Sequence, residues 1–325
     1  MSIDTLARLG LAACLALACG LSSAQQYPTK PVRILTPFPG GSGPDAVLRV
    51  VGEKLTKLWG QQVVVENRPG ANGFIAIEAA KKAPPDGYTL VQMDDTHLAL
   101  QPHLYKKIPY DINKDFDPVA TLFRTYFFVV VPARSGWKDM KDLVAAAKAK
   151  NGDLTYGSWF VGSPGHVGAA MLEAATGTKM THVPFKEMSQ LYTGVANDDV
   201  AWAFGSAASS GAMYRASKVR YIAVAAPKRV AGFESVPTVA EAGGPAGFEV
   251  KAWVALFAPH GTPPAIVAKM NADVAKVLAE PDVKERFAGF GFEPYAITPG
   301  EMTASMAADS TRYGDIVKRA NIAVE

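Results

Sequence analysis

Two glycine-rich segments have the residue types of an anion-binding loop. The first is Pro39-Gly40-Gly41-Ser42-Gly43, followed by Pro44, and the second ends in Gly162-Ser163, followed by Pro164. Serine or glycine at an N-cap with proline in the first turn is typical of a helix start, which exposes unpaired N–H groups and a partial positive charge. Glycine lets such a backbone approach a ligand closely. Each segment is therefore suited to hold an anion such as a carboxylate without a dedicated arginine.

Either segment alone would also fit an ordinary strand-to-helix connection, so the interpretation depends on the pair. The two lie in different halves of the chain, and each follows a short apolar run, at residues 32–38 and 154–157. Apolar runs alternate with amphipathic stretches along the chain, which predicts an α/β fold with a mainly parallel sheet covered by helices. Further strands are predicted at residues 62–66, 88–93, 126–131, 200–204 and 219–225.

Other chemical patterns are weak. Gly40-Gly41-Ser42-Gly43-Pro44 resembles a nucleophile elbow without its final glycine, and neither a Walker sequence nor the G-x-G-x-x-G of dinucleotide binding occurs. A Ser-His-Asp triad could be written from Ser163, His166 and Asp45, but one sequence gives it no geometric support. The five histidines lack metal-ligand spacing. We expect no catalytic residue, no metal and no cofactor.

The composition argues against a polyanion binder. Among 325 residues, 33 are basic and 30 acidic, which gives a net charge of +3, and no basic run exceeds two residues. We therefore expect no nucleic-acid partner. Apolar residues make up 49% and charged residues 19% of the chain, which is enough apolar surface for a packed core in one large domain or two ordinary ones.

The first 24 residues predict an export signal. An apolar run of residues 9–20 is too short to span a bilayer, and Ser22-x-Ala24 supplies small residues for cleavage before Gln25. A buried N-terminal helix is the alternative. Both cysteines, Cys14 and Cys19, fall in this segment, so the mature chain would hold neither a disulfide nor a thiol nucleophile. Lipidation of Cys19 stays open, although Ala16 stands where a lipoprotein signal usually has leucine. We expect a periplasmic protein with no membrane insertion of the mature chain.

The chain resembles a known receptor family along almost all of the mature sequence. The matching motifs are Pro31-Val32-Arg33-Ile34-Leu35-Thr36-Pro37-Phe38-Pro39-Gly40-Gly41, Val65-Glu66-Asn67-Arg68-Pro69-Gly70, Pro85-Asp86-Gly87-Tyr88-Thr89-Leu90, Val183-Pro184-Phe185-Lys186, Pro237-Thr238-Val239-Ala240-Glu241-Ala242-Gly243 and Ala258-Pro259-His260-Gly261-Thr262-Pro263. In order and spacing they are similar to the Bug family, the extracytoplasmic solute receptors of tripartite tricarboxylate transporters. The resemblance implies a two-lobed periplasmic-binding-protein fold, type II-like, with the ligand cleft between the lobes. One lobe would comprise residues 25–125 and 227–325, and the other residues 126–226.

The resemblance also implies a set of ligand-binding residues. The first loop offers Phe38, Pro39, Gly40, Gly41, Ser42 and Asp45. The second offers Gly157, Ser158, Trp159, Gly162, Ser163 and His166. A third segment after a strand contributes Thr96 and His97, and a fourth contributes Phe204 and Ser206.

Departures from the family pattern bear on the ligand. Asp94-Asp95 stands where small or amide residues are common, and Trp159-Phe160 adds aromatic bulk. A ring-bearing carboxylate could stack on Phe38 or Trp159, with small aliphatic di- or tricarboxylates as the rival. We expect a monomer that captures a small carboxylate and docks on membrane permease subunits. Two alternatives stay open: a subunit that presents the ligand to a signalling receptor, and an exported hydrolase that uses Ser163 or Ser42.

Overall fold

The computed structural model describes residues 27–159, 161–320 and 322. The expected signal peptide, residues 1–24 with Cys14 and Cys19, lies outside the described residues. Strands β1 to β11 are Val32–Thr36, Val63–Asn67, Thr89–Asp94, Phe116–Tyr126, Phe128–Pro132, Thr155–Ser158, Thr181–Pro184, Trp202–Gly205, Val219–Val224, Lys251–Pro259 and Phe292–Pro294. Helices α1 to α11 are Gly43–Trp59, Phe74–Lys81, Gln101–Leu104, Ile112–Asp115, Met140–Lys150, Pro164–Thr176, Met188–Asn197, Ala207–Arg215, Pro264–Ala279, Pro281–Gly289 and Pro299–Ala320.

These strands form two sheets, each at the centre of one lobe. The first sheet has the order β11-β4-β10-β3-β1-β2, and the second has the order β7-β6-β8-β5-β9. The chain passes from the first sheet to the second between Tyr126 and Phe128, and returns between Val224 and Lys251. The lobe boundaries at 125/126 and 226/227 stay a prediction.

The expectation of mainly parallel sheets is wrong. Strand β1 is parallel to β2 and β3, and β6 is parallel to β7 and β8, but β10 is antiparallel to both of its neighbours and β5 is antiparallel to both of its own. The physical reason is the double crossing. The parallel strands of each sheet end at the side that faces the other lobe. A strand that arrives from the other lobe, β10 in the first sheet or β5 in the second, begins at that side and therefore runs antiparallel to its neighbours.

Helices cover both faces of the first sheet. Along β10, Val254 and Leu256 belong to the apolar cluster beneath α1 and α9, whereas Ala255 and Phe257 belong to the cluster beneath α2 and α11. This alternation follows from the two-residue period of a strand, and apolar residues at every position are typical of a strand covered on both faces. The long strands β4 and β10 were not predicted. Strand β10 is an almost continuous apolar run, which carries no helix or strand period of its own, and β4 contains Asp117, Pro118 and Arg124, which interrupt its apolar pattern.

The carboxyl ends of β1, β3, β6 and β8 open toward the junction of the two lobes, and the loops that follow them carry the predicted site residues. Within the part of the chain that the structure describes, no helix has both the length and the apolar content needed to cross a bilayer.

Candidate ligand-binding site

The first loop joins β1 to α1, and Ser42 is its N-cap as expected. The backbone of Ser42 is extended, with φ −68° and ψ 161°, but its side chain does not cap the helix. Its Oγ is buried, and among residues 27–159, 161–320 and 322 it has no hydrogen-bond partner. A buried hydroxyl without a partner is costly, so this one is a strong candidate to bind a ligand oxygen. Pro39, Gly40 and Gly41 are exposed beside it.

Asp45 braces the first loop from inside. Its carboxylate accepts hydrogen bonds from Gly41 N at 2.8 Å, Arg49 Nε at 3.1 Å and Asn67 Nδ2 at 2.7 Å, and Asn67 Nδ2 also donates to Phe38 O at 3.0 Å. Burial by itself would raise the pKa of Asp45, but the hydrogen bonds from Arg49, Asn67 and Gly41 outweigh burial and lower it. Asp45, expected as a ligand contact, thus has its oxygens engaged by the protein.

The second loop joins β6 to α6, and here the N-cap serine does cap. Ser163 Oγ accepts from His166 N at 3.3 Å, which confirms the predicted helix start. Gly162 N donates to His166 Nδ1 at 2.9 Å, and Gly162 has a left-handed φ of +82°, which only glycine adopts without strain. Ser158 and Ser163 are fully buried. Both loops therefore end in an N-cap serine with an extended backbone, but only the hydroxyl of Ser163 caps its helix, whereas that of Ser42 does not.

The aromatic candidates differ in how much ring they leave uncovered. Trp159 is 8% exposed and stacks on Phe127, with ring centroids 5.5 Å apart and planes at 25°, while Gly165 lies against the indole. Phe38 is only partly buried and meets His97 edge to face at 5.9 Å. Of the two rings, Phe38 is the one with surface to offer a ligand. Gly157 and Phe204 are buried in the core of the second sheet.

Two neighbouring aspartates hold the third segment in place through different partners. Asp94 Oδ1 lies 2.5 Å from His97 Nδ1, and Asp95 Oδ2 accepts from Tyr313 Oη on α11 at 2.6 Å. Asp95 is fully buried, and Thr96 and His97 are almost so. Neither aspartate lies on the open surface. Asp94 holds the His97 ring of this segment, and Asp95 ties the segment to α11. Tyr313 was not predicted, because no short-range pattern links it to a residue 218 positions away.

The fourth segment is the start of α8. Ser206 is its N-cap, and Ser206 and Ser209 cap each other reciprocally, with Ser209 N donating to Ser206 Oγ at 3.2 Å and Ser206 N donating to Ser209 Oγ at 3.1 Å. Tyr192 Oη donates to the carbonyl of Phe204 just before it, at 3.2 Å. A third helix start therefore faces the junction of the lobes.

Small residues bring the segments of the two lobes into contact. A Cβ added to Gly43 would lie 3.1 Å from Ala208 Cβ in α8, and one added to Gly291 would lie 2.6 Å from Ala207 Cβ. A Cβ on Gly162 would overlap Leu104 Cδ1 of the first lobe. Ser42, Ser206 and Gly162 thus sit where the lobes meet, with Phe38 and His97 against each other on the first lobe.

The arrangement gives no support to hydrolysis by Ser163 or Ser42. Ser163 Oγ accepts a backbone N–H, the Nδ1 of His166 receives Gly162 N–H, and Ser42 Oγ has no partner within the described ranges. A nucleophilic serine needs a histidine nitrogen in hydrogen-bond reach. No group of three or more His, Cys, Asp or Glu side chains in the described part of the chain is arranged to hold a metal ion.

Comparison with known proteins gives consistent matches. Residues 47–322 match the model of the tripartite tricarboxylate transporter family receptor, TctC. The chain is 32% identical over 306 residues to a UPF0065 protein of Pseudomonas sp. strain P51, which covers 93% of this chain and 91% of that protein. It is 30% identical over 297 residues to protein BugT of Bordetella pertussis, which covers 91% of each.

Solved structures agree with the two-lobed fold. The structure of Rpa4515 from R. palustris with adipate is 30% identical, with a TM-score of 0.84 over 92% of this chain and 100% of that chain. MatC from Rhodopseudomonas palustris with bound malate is 29% identical, with a TM-score of 0.78 over 90% of this chain and 100% of that chain. The structure of the periplasmic binding protein BugD is 27% identical, with a TM-score of 0.78 over 91% of this chain and 99% of that chain.

Proposed function

This chain belongs to the tripartite tricarboxylate transporter receptor family, and on that premise we propose that it is a periplasmic solute-binding protein that captures a small carboxylate and delivers it to membrane permease subunits. The observation that carries the proposal is that both glycine-rich helix starts lie at the junction of the lobes, where Gly43 faces Ala208 and Gly162 faces Leu104. The Ser42 hydroxyl is buried at the first of them and has no hydrogen-bond partner among the described residues. Helix N-termini favour anions, and each charge-assisted hydrogen bond contributes about 1.5–3 kcal/mol.

Among carboxylates, we favour an aliphatic dicarboxylate over a ring-bearing acid. Two structures of similar proteins hold adipate and malate. Phe38 and Trp159 were the two rings proposed to stack on a ligand. In this chain the indole of Trp159 already packs on Phe127, so only Phe38 of the two has ring surface left for a ligand. The remaining candidate contacts are Ser42, Ser163, Ser206, Thr96, His97 and the backbone of residues 39–43 and 162–163.

Thermal unfolding against a panel of adipate, malate, succinate, citrate and benzoate tests the function. A ligand present at 100 times its dissociation constant stabilises the folded state by about 2.7 kcal/mol, which raises the unfolding midpoint visibly. We expect an aliphatic dicarboxylate to give the largest shift. If no acid shifts the midpoint, and mass spectrometry of the denatured protein finds no retained carboxylate, the proposal is wrong.

Ser42→Ala separates ligand binding from stability. Because Ser42 Oγ is buried without a partner among the residues that the structure describes, its removal should leave the unfolding midpoint of the free protein unchanged or slightly raised. It should weaken dicarboxylate binding by about tenfold through loss of one hydrogen bond. Calorimetric titration and thermal unfolding measure the two effects.

The matched control is Ser163→Ala, which removes a cap that the protein uses. That variant should lose about 1 kcal/mol of stability in the free protein. If Ser42→Ala binds the dicarboxylate as tightly as wild type does, the Ser42 hydroxyl does not contact the ligand.

A further inference from the structure

Two histidine rings lie face to face directly behind the second loop. The rings of His166 and His182 have centroids 3.9 Å apart and planes only 6° apart. His166 comes from the first turn of α6 and His182 from β7, whose register sets it beside Tyr156 of β6. The Tyr156 ring extends the stack at 5.1 Å from His182. Three elements of the second lobe therefore meet in this stack.

The hydrogen bonds of the pair reach both ends of the loop. Gly162 N donates to His166 Nδ1 at 2.9 Å, and Ser158 Oγ lies 2.7 Å from His182 Nε2. A nitrogen that accepts an N–H must carry a lone pair, so His166 is neutral with its proton on Nε2. An imidazolium in this position would leave Gly162 N–H without an acceptor. The pair is thus joined to the last residue of β6 and to the residue before the N-cap of α6.

The surroundings of the rings favour the neutral form. Burial lowers the pKa of His166 to about 4, and burial with the proximity of His166 lowers the pKa of His182 to about 4. Tyr156 packs on both rings, and burial raises its pKa and so favours its uncharged form. Burial also raises the pKa of Glu173, which lies near Tyr156 and seven residues after His166 on α6. Two cations at this ring separation would also repel each other.

We propose that His166 and His182 are positioning residues of the carboxylate site: as a stacked, neutral pair they hold residues 158–163 in the shape in which the start of α6 faces the ligand. This inference rests on the function proposed above. The resemblance implies that His166 contacts the ligand, whereas here it acts through Gly162; His182 was not expected to take part. The pair also explains how the second loop keeps its shape without a charged brace, which in the first loop is the carboxylate of Asp45.

Paired substitutions at each position test the role. His166→Phe keeps a flat ring in the stack but removes the acceptor of Gly162 N–H, whereas His166→Asn places an amide oxygen near the position of Nδ1 and removes the ring. At position 182, His182→Phe keeps a flat ring but removes the hydrogen bond to Ser158, whereas His182→Gln removes the ring but keeps a polar group that can bond Ser158. We expect adipate, the probe ligand, to bind at least about tenfold more weakly to both Phe variants and within about threefold of wild type to the Asn and Gln variants.

Hydrogen exchange of the Gly162 amide reports on the brace without any ligand. Protection should persist in wild type and in His166→Asn, and fall in His166→Phe. A lost protection together with an unchanged adipate affinity overturns the proposal while the proposed function stands. Equal losses of affinity in the Phe and amide variants also overturn it, because they would mean that the hydrogen bonds do not matter. A wild type that binds no carboxylate overturns both proposals.

The pH profile supplies a readout that general packing would not give. The ratio of adipate affinities of wild type and of the double variant His166→Asn/His182→Gln cancels protonation of the ligand itself. This ratio should be constant from pH 8 to pH 5 and fall as the pH passes through about 4, where the paired rings take up protons. A ratio that stays constant through pH 4 contradicts the proposal.

Discussion

Gly162→Ala is expected to weaken dicarboxylate binding by at least about tenfold in a protein that still folds. Two effects combine. A φ of +82° strains any residue with a Cβ by about 1–2 kcal/mol, and the new methyl group would overlap Leu104 Cδ1 of the other lobe. The backbone strain affects the second loop whether the lobes are apart or together, whereas the overlap with Leu104 arises only when the lobes are in contact. Calorimetric titration with adipate and thermal unfolding of the free protein measure the two consequences.

Gly177→Ala is the matched control. Gly177 has a φ of +64°, and nothing lies within 4 Å of an added Cβ. It should therefore show the backbone strain in its unfolding midpoint and keep the wild-type affinity. Adding Leu104→Ala to Gly162→Ala should recover part of the affinity, because it removes the overlapping methyl groups but not the strain. Wild-type affinity in Gly162→Ala would show that this contact plays no part in binding.

Asp95→Asn is expected to stabilise the protein increasingly as the pH rises above about 4. Burial, followed by the nearby charges of Asp94 and Asp309, raises the pKa of Asp95 well above its usual value. An unfolded aspartate loses its proton near pH 3.8, while the folded one retains it. The contribution of Asp95 to the stability of the wild type is therefore complete below that pH and is lost as the pH rises toward the folded pKa, by about 1.4 kcal/mol for each pH unit between the two values. Asparagine does not titrate, and it still offers an oxygen to Tyr313 Oη.

Asp45→Asn should show the opposite sign. The pKa of Asp45 is lowered by its hydrogen bonds, so its contribution to stability is complete above the unfolded pKa and is lost as the pH falls through the folded one. This variant should be less stable than wild type at pH 7, and the difference should vanish in acid. Unfolding midpoints of wild type and both variants, measured at pH 2, 4, 6 and 8, test both signs. A stability difference for Asp95→Asn that does not grow with pH would contradict the assignment of a buried, protonated acid.

The local features of the site could be predicted because their causes lie within a few residues of one another. Ser163 and Pro164 begin a helix as expected. Thr298 with Glu301 forms a capping box, in which Glu301 N donates to Thr298 Oγ1 at 3.2 Å and Thr298 N donates to Glu301 Oε2 at 2.8 Å. Such contacts span one helical turn, so residue type and spacing suffice to identify them.

The roles of individual side chains were harder to predict. Asp45 and Trp159 were expected at the ligand, yet Asp45 accepts hydrogen bonds from its own loop and Trp159 stacks on Phe127. Whether a carboxylate or a ring faces a ligand depends on which donors and rings surround it, and those come from other elements. The set of contact residues therefore stays a proposal, even where the segments that carry them are correctly identified.

By itself the sequence determined the α/β class, the positions of the glycine-rich helix starts and the family, because each follows from short-range periodicity, capping and ordered motifs. Only the tertiary structure decided that Gly162 meets Leu104, that Tyr313 holds Asp95, and that His166 stacks on His182. These contacts join residues far apart in sequence or on different elements. They exist because the chain crosses twice between the sheets and brings the ends of the parallel strands of both lobes to one junction, which no local pattern encodes.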